Sequence, residues 1–380
     1  MGTGANHGAP RRYALWLASL LAVAIAAFAI GCGSDDDGGS DTSGGSADNG
    51  GTTEVVAAAE EVIAPYMEPP ESVGTDVELS EPAPGGKKIV ALSCALDVCK
   101  AWRDDVAEAA EAIGWSATGQ SFDGTPEDTL AKVTAAVNSG ADAIVINGVP
   151  RETYEAAVEQ AKSKGVPIVT QMGELEGEVV DPFIAVQYQA DEFDRMANAT
   201  GNWVIADGNG ESNALVLSYA NFPLSERIAD KTKEAIDENC PDCQTKALRV
   251  QAADTGTKLP AAVVSEIQRD PSITHVVFQD AAMAGGVDAA LREAGLTDKV
   301  KVLGNNTTPQ ALQAACDGIN LGWMSFSTKA AAWAGIDALA RHYTGDEIVY
   351  PPLMNQILTQ ETMECPPGRQ TGRDLPPDLP

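Results

Sequence analysis

The sequence has 380 residues, a formal net charge of −30 and 44% hydrophobic residues, which is enough apolar material for two domains with substantial cores. So strong a negative charge repels phosphate backbones, and we therefore expect no nucleic-acid partner. Only three histidines are present, one of them in the N-terminal leader, which disfavours a histidine-rich metal site. We predict no metal site, and we also predict no cofactor.

The N-terminus has the pattern of a secretory signal. Arg11 and Arg12 precede an uncharged apolar run that ends at Cys32, and a basic start, an apolar stretch and small residues before the break are typical of such segments. Residues 29–32 resemble a bacterial lipobox, which predicts a signal peptide over 1–31 and a lipid on Cys32. An uncleaved membrane anchor is the alternative, because the run is just long enough to span a bilayer. Both interpretations place the rest of the chain outside the cytoplasm, anchored to the cell membrane.

The next two segments are predicted to be a tether and an arm. Residues 32–53 are rich in Gly, Ser and Asp and contain almost no apolar side chains, so they are expected to form a flexible tether. Residues 54–86 combine a short helical pattern, Glu54–Ile63, with five prolines that precede the main body at Lys87. Residues 33–86 contain 13 acidic residues and no basic one, and this charge would keep the segment extended and soluble.

The cysteines are expected to form disulfides. If Cys32 carries a lipid, six cysteines remain, and an even number in an exported chain is typical of disulfide bonding. Other pairings stay open, but the spacing favours three pairs: Cys94–Cys99, Cys240–Cys243 and Cys316–Cys365. The stretch 240–243 also fits a redox motif or half of a zinc site. It has no second pair and no nearby histidine, so a small structural loop is favoured.

From Lys87 onward, strands and helices alternate. Continuous apolar strands separated by amphipathic helices predict parallel sheets that are covered on both faces. The pattern occurs once before Pro182 and once after it. We therefore predict an α/β fold of two doubly wound, Rossmann-like lobes, with a cleft at the carboxyl ends of their strands.

The predicted elements follow in chain order. The first half has strands Lys88–Ser93, Ser116–Phe122, Asp142–Ile146 and Val166–Thr170, and helices Ala101–Ile113, from Pro126 to a stop at Gly140, and Arg151–Lys164. The second half has strands Ala214–Ser218, Gln244–Val250, His275–Phe278, Lys299–Leu303 and Ile319–Ser325, helices Gln189–Ala206, Pro223–Glu238, Thr257–Arg269, Ala281–Ala294, Pro309–Asp317 and Thr328–His342, and an extended stretch near Ile348–Leu358.

Four segments carry a resemblance to a known family. They are GADAIVIN at 140–147, KGVPIVT at 164–170, VVFQDAAMA at 276–284 and KVLGNNTTP at 301–309. In this order and spacing, over roughly Lys87–Tyr350, the sequence resembles the type I, ribose-binding-like periplasmic binding proteins that serve ABC importers. The resemblance implies two lobes joined by a three-strand hinge that closes on a small-molecule solute. It also implies a monomer, an ABC permease as partner and no enzymatic activity.

The resemblance divides the main body and places the ligand contacts. The family's chain crossings fall near Gln187, Phe326 and Leu353. The implied segments are lobe one at 87–186 and 327–352, lobe two at 187–326 and 353–368, and a tail at 369–380. The implied ligand contacts, all in loops after strands or at a crossing, are Asp97, Trp102, Gln171, Tyr219, Asn221, Arg227, Thr255, Asp280, Asn306 and Phe326.

Several of these contacts have a second interpretation. Asp97 would accept a hydrogen bond from a hydroxyl or pair with an amine, but it is equally suited to cap a helix. Asp280 and Asn306 match ligand-contact positions at strand ends, with turn capping as the alternative. The family's arginine lies about one position from Arg227, and Phe326 is suited either to stack on a ring or to pack in the hinge.

The residues together favour a neutral or mildly cationic small molecule with a partly apolar face. Sugar-binding members have Asp-Arg where Gln171 and Met172 stand, so a less charged wall is expected, and the family favours a sugar or polyol. No GxxxxGK[ST], HExxH or GxSxG motif is present, and no catalytic residue is predicted. The alternatives to delivery to an ABC permease are a ligand-sensing receptor for a membrane kinase and a secreted α/β enzyme.

Overall fold

A computed structural model describes residues 49–70, 74, 77–95, 97–173, 176–220 and 222–367. The predicted signal peptide, the lipidation site Cys32, most of the tether, the candidate contact Asn221 and the tail at 369–380 lie outside the described residues. The described residues all belong to one compact unit.

The first sheet has five strands, all parallel. They are β1 (Lys88–Cys94), β2 (Ser116–Phe122), β3 (Ala143–Asn147), β4 (Ile168–Gln171) and β5 (Phe183–Gln187), and their order is β2-β1-β3-β4-β5. Four helices cover this sheet: α2 (Asp97–Ala112), α3 (Pro126–Asn138), α4 (Glu155–Lys164) and α10 (Thr328–Thr344). We call this sheet with its four helices lobe one.

The second sheet has six strands. They are β6 (Asn213–Tyr219), β7 (Gln244–Val250), β8 (His275–Phe278), β9 (Lys301–Asn305), β10 (Gly322–Phe326) and β11 (Asn355–Leu358). The order is β11-β10-β9-β8-β6-β7, and β11 alone is antiparallel to its neighbour. The helices of this lobe are α1 (Asn49–Met67), α5 (Ala190–Asp207), α6 (Pro223–Asn239), α7 (Leu259–Arg269), α8 (Val287–Glu293) and α9 (Pro309–Cys316). We call this assembly lobe two.

Each sheet has an apolar core on both faces because its strands alternate between two helix layers. In β1, Val90 and Leu92 pack in the layer of α3 and α4, whereas Ile89 and Ala91 pack in the layer of α2 and α10. In lobe two the corresponding layers are α1, α5 and α6 on one face and α7, α8 and α9 on the other. The predicted α/β class with parallel sheets covered on both faces is therefore confirmed.

The main differences from the predicted elements are three. Strand β5 was not predicted; no helix separates it from β4, so it does not fit the strand–helix alternation that guided the prediction. The predicted helix 281–294 is interrupted, because Gly286 adopts a left-handed φ of 79° that ends the first turn and starts α8. Helix α1 begins at Asn49, inside the predicted tether, and extends beyond the predicted Glu54–Ile63.

Six cysteines come together in pairs. The Sγ–Sγ distances are 2.10 Å for Cys94–Cys99, 1.99 Å for Cys240–Cys243 and 2.17 Å for Cys316–Cys365. These are the pairs that the sequence spacing favours, and formation of the bonds stays a prediction. Among the residues that the structure describes, no helix has the length and apolar character to cross a membrane.

Candidate functional site

The carboxyl edge of the lobe two sheet carries a row of polar side chains. Because β9, β8, β6 and β7 are parallel neighbours, the residues that end or follow these strands lie near one another at this edge. These residues are Asn306, Asp280, Tyr219 and Thr255, and we call them the polar row. All four were predicted as ligand contacts, and the structure brings them together.

Asp280 is held in place from two sides. Asn306 Nδ2 donates to Asp280 Oδ2 over 2.9 Å, and the amide of Ala282 donates to Asp280 Oδ1 over 2.8 Å. Burial raises the pKa of the Asp280 carboxyl, and these two hydrogen bonds oppose the rise. A carboxylate has about four acceptor positions, so a fixed and partly exposed Asp280 retains capacity for a ligand hydroxyl while it caps the following turn.

Asn306 owes its position to its backbone. Its φ is 60°, a left-handed value that Asn tolerates better than most side chains. The backbone amide of Asn306 donates to Met324 O over 2.9 Å, and the side-chain Oδ1 of Asn306 accepts from the backbone amide of Thr307 over 2.8 Å. This conformation directs the side-chain amide of Asn306 toward Asp280.

An aromatic pair lies beside the polar row. The Tyr219 and Phe222 rings are 6.0 Å apart with their planes at 56°, and Phe222 is 51% exposed. The Tyr219 hydroxyl lies 3.2 Å from Thr255 Oγ1, and burial raises the pKa of Tyr219, which keeps this hydroxyl neutral. Phe222 was not predicted as a contact, although its position directly after Asn221 could have indicated it.

The loop that carries this pair is tied to the next strand. The amide of Tyr219 donates to Ser225 Oγ over 2.9 Å, and Ser225 Oγ donates to Gln279 Oε1 over 2.6 Å. Gln279 directly precedes Asp280, so the ends of β6 and β8 are joined through side chains as well as through the sheet. The spacing between the aromatic pair and the Asp280 carboxyl is thereby fixed before any ligand arrives.

Trp102 and Gln171, the predicted contacts of lobe one, lie in its core instead. Gln171 is 0% exposed and Trp102 is 1% exposed. Trp102 Nε1 donates to Gln171 Oε1 over 3.1 Å, and Gln171 Nε2 donates to Gln187 Oε1 over 2.6 Å and to Ala331 O over 2.7 Å. Because the polar atoms of Gln171 already have protein partners, this placement does not support a ligand contact. It supports a role in docking α10 on the sheet.

The cleft side of lobe one is lined by other residues. Asn147 and Met172 are partly exposed at the ends of β3 and β4, and Asn147 Nδ2 lies 3.8 Å from Met172 Sδ. Met172 belongs to the less charged wall that the sequence predicts, whereas Asn147, which closes the GADAIVIN segment, was not predicted as a contact. Helix α2 begins at Asp97, whereas an N-cap residue precedes the first helical residue. The Asp97 side chain lies outside the described part, so both interpretations of Asp97 stay predictions.

Arg227 is engaged by a carboxylate of its own lobe. Its Nε and Nη2 donate to Asp194 over 2.8 and 2.7 Å, and the Asp194 carboxylate raises the pKa of Arg227. Arg227 forms part of a cavity of about 570 Å³ between the loop after β4 and the start of α5. The cavity is lined by Glu176, Gly177, Glu178, Gln189, Ala190, Asp191, Asp194 and Arg227. No member of the polar row lines this cavity. The structure therefore does not bring Arg227 together with the other predicted ligand contacts of lobe two.

Phe326 packs near the crossing between β10 and α10. Its ring centroid lies 6.2 Å from that of Phe193 on α5, with the planes at 87°. Phe326 is partly exposed and contacts the apolar layer of lobe two. This edge-to-face contact supports the hinge-packing interpretation.

The Cys240–Cys243 pair is placed where a redox motif would be disfavoured. Cys240 follows the last residue of α6, and its amide donates to Ile236 O over 3.0 Å. The carboxyl end of a helix carries partial negative charge, which destabilises a thiolate. Cys240 is also 1% exposed. The placement supports a structural loop closure rather than thiol chemistry.

One histidine group resembles the hydroxyl, imidazole and carboxylate arrangement of nucleophilic enzymes. His275 Nδ1 lies 2.8 Å from Thr274 Oγ1, and His275 Nε2 lies 2.8 Å from Asp207 Oδ2. Burial would raise the pKa of Asp207, but hydrogen bonds from His275 and Lys301 hold it below its usual value. The group lies at the amino ends of β8 and β9, opposite the polar row, and His275 is 2% exposed. His275 therefore braces the strand starts from inside the core.

Within the described ranges, no group of three or more His, Cys, Asp or Glu side chains is placed to hold a metal ion.

Comparison with known proteins identifies the fold. Residues 95–347 match the periplasmic binding protein domain family.

Two curated relatives match parts of this chain. A D-apiose import binding protein of Actinobacillus succinogenes is 27% identical over 240 residues, which are 57% of this chain and 73% of that protein. A xylitol-binding protein of Mycolicibacterium smegmatis is 28% identical over 197 residues, 50% of this chain and 53% of that protein, so the chain spans about half the length of that relative.

Solved structures share the architecture. An ABC transporter periplasmic solute-binding protein of Actinobacillus succinogenes with bound D-allose aligns with a TM-score of 0.63 and 20% identity, covering 72% of this chain and 98% of that one. An ABC transporter solute-binding protein of Agrobacterium vitis with bound allitol aligns with a TM-score of 0.60 and 17% identity, covering 73% and 96%. At such identities the alignments establish the fold. Because the family match covers well over half of the sequence, the chain belongs to the periplasmic binding protein family.

Proposed function

We propose that this protein captures a sugar or polyol in the cleft between its lobes and delivers it to an ABC permease. The observation that carries the proposal is the polar row with its aromatic pair. A neutral hydroxyl, a fixed carboxylate and an exposed aromatic face lie together at one sheet edge, and these groups match the hydroxyls and the apolar ring face or carbon chain of such a solute.

Specific roles follow from the geometry. Asp280 accepts hydrogen bonds from ligand hydroxyls, and Tyr219 and Thr255 exchange hydrogen bonds with another part of the ligand. Phe222 packs against carbon atoms. Asn306 holds the Asp280 carboxyl in orientation rather than contacting the ligand.

The relatives favour this function over its alternatives. The two curated relatives are named for D-apiose import and for xylitol binding, so a transport role agrees better with them than a sensor for a membrane kinase or a secreted enzyme does. The N-terminal pattern supports an extracytoplasmic protein held to the cell membrane by a lipid on Cys32. Metabolic labelling with an alkyne fatty acid, compared between the wild type and Cys32→Ser, tests the anchor.

Ligand binding is tested first with a panel. Thermal shift and isothermal titration calorimetry with xylitol, allitol, D-allose and D-apiose should give at least one stabilising ligand, and mass spectrometry should detect any solute retained on purification. If no sugar or polyol binds, or if a solute of another class is retained, the proposed substrate class is wrong.

The location of the site is tested by matched substitutions. Asp280→Ala should weaken binding at least about tenfold, because a hydrogen bond to a charged acceptor contributes roughly 1.5–3 kcal/mol. Asp298→Ala removes an exposed carboxylate at the opposite edge of the same sheet and should leave the affinity unchanged. Equal affinities for the two variants would show that the polar row is not the binding site.

A further inference from the structure

The segment before lobe one contacts both lobes. We call residues 49–86 the strap; its described parts are 49–70, 74 and 77–86. Its first part is α1, which packs on α5 and β11 of lobe two and buries Ala59 and Ile63 to 1% and 8% exposure. The strap precedes the residues that match the family, which begin at residue 95.

Helix α1 runs antiparallel to α5. At its start, Thr52 lies so close to the turn after α5 that a Cβ added to Gly210 would come within 2.9 Å of Thr52 Cγ2. Near its end, Tyr66 is half-buried within the electrostatic influence of Glu192 and Arg195, in the first two turns of α5. The strap therefore leads from the far end of lobe two to the region between the lobes.

The last part of the strap is bound to lobe one. Leu79 and Ala83 pack against the layer of α2 and α10. Three hydrogen bonds hold this part, from Arg341 Nη2 to Val77 O (2.6 Å), from Ser80 N to Asp346 Oδ2 (3.0 Å) and from Trp115 Nε1 to Pro84 O (2.8 Å). Arg341 is 2% exposed and its Nε also pairs with Asp337 over 2.7 Å, so the contact with Val77 is made by a rigidly held side chain.

Between its two ends, the strap touches the crossing from α10 to β11. Gly74 has a left-handed φ of 74°, and a Cβ at this position would lie 2.9 Å from Pro352 Cδ and 3.1 Å from Pro351 Cβ. The next residue of the crossing, Leu353, donates its amide to Glu192 Oε2 over 3.0 Å. The strap thus lies directly against one of the segments that must bend when the lobes move.

The strap is short between these contacts. At about 3.3 Å per residue, the seven steps from Met67 to Gly74 reach at most about 23 Å, and the three steps from Gly74 to Val77 at most about 10 Å. A chain this short, fixed on lobe two, on the crossing and on lobe one, limits how far the lobes can separate or rotate.

We propose that the strap is a further connection between the lobes that restricts hinge motion and stabilises the lobe arrangement seen here. The competing explanation is that α1 only covers apolar surface on α5 and β11. The two explanations differ in what happens when the strap is lengthened without disturbing either end.

The test uses the full chain with a ten-residue Gly/Ser insert after Pro70. Such an insert adds a coil of about 17 Å r.m.s. length, and the matched control carries the same insert before Asn49, outside the strap. Spin labels are attached through non-canonical keto side chains at the exposed positions Glu159 of lobe one and Glu238 of lobe two. Double electron–electron resonance then gives the distribution of distances between the two labels.

The strap insert should broaden this distribution by several ångströms, and the control insert should leave it unchanged. Identical distributions for the two proteins would overturn the proposal. A second pair of variants, Ala59→Glu to detach α1 and Glu60→Ala as its exposed neighbour, should show the same contrast; if Ala59→Glu unfolds the protein, the insert pair still decides. The measurement needs no ligand, so its outcome is independent of the proposed function.

Discussion

Replacing Gln171 with methionine distinguishes a structural residue from a ligand contact. The change keeps the length of the side chain but removes the amide that joins Trp102, Gln187 and α10. Trp102 Nε1 and Gln187 Oε1 would each lose this partner inside the core. The carbonyl of Ala331 would keep its bond within the helix.

The magnitude follows from the number of groups left without a partner. Each buried polar group that loses its hydrogen bond costs about 1–3 kcal/mol, and two such groups give an expected loss of about 3 kcal/mol in the free energy of unfolding. Because none of the atoms involved reaches the cleft, the affinity for the ligand should change by less than about twofold, or about 0.4 kcal/mol.

Two measurements check this prediction. Urea unfolding followed by circular dichroism gives the stability, and calorimetry with the ligand found in the panel gives the affinity. Gln313→Met, the same substitution at an exposed position of α9, should cost less than about 0.5 kcal/mol. A Gln171→Met protein with native stability and tenfold weaker binding would refute the buried-network explanation and restore Gln171 as a ligand contact.

Three further predictions concern lobe two. Burial raises the pKa of Asp280 above the usual 3.8, so the contribution of Asp280 to stability is present at low pH and is lost as pH rises from 3.8 through the raised pKa. In Asp280→Asn, the free energy of unfolding should change less with pH over this range. A pH dependence equal to that of the wild type would contradict the raised pKa. Replacing Cys316 and Cys365 with alanine should cost up to about 4 kcal/mol in a denaturant titration, since the bridge closes a separation of 49 residues; no loss would mean that the bond does not form. Asp194→Asn should cost about 1 kcal/mol or less, because its pair with Arg227 is partly exposed, and a loss above about 3 kcal/mol would show that the pair is effectively buried.

The sequence predicts the fold well because the relevant patterns are local. Strands Ser116–Phe122 and Gln244–Val250 have the same bounds in the structure as in the prediction, and proline and glycine mark the ends of several helices. Strand β5 shows the limit of this approach. Phe183–Gln187 is a suitable strand sequence, but only its pairing with β4, without a helix between them, assigns it to the first sheet.

The site is harder to predict because strand ends carry both ligand contacts and structural residues. Asp280 and Gln171 both follow or end a buried strand, and the sequence treats them alike. Their difference comes from distant partners: Gln171 meets Gln187 at a separation of 16 residues and Ala331 at a separation of 160. Such contacts leave no local pattern, whereas the Asp280–Ala282 turn that exposes Asp280 is formed within three residues.

The described chain both starts and finishes on lobe two, since α1 packs there and Cys365 lies against Cys316 of α9. Reporters fused to the two ends of this body would therefore move together and give no change in energy transfer when the cleft closes. A biosensor built on this protein needs one fluorophore inside lobe one. The exposed turn at Gly140, where nothing lies within 4 Å of an added Cβ, is a suitable insertion point because it lies at the edge of the sheet away from the cleft.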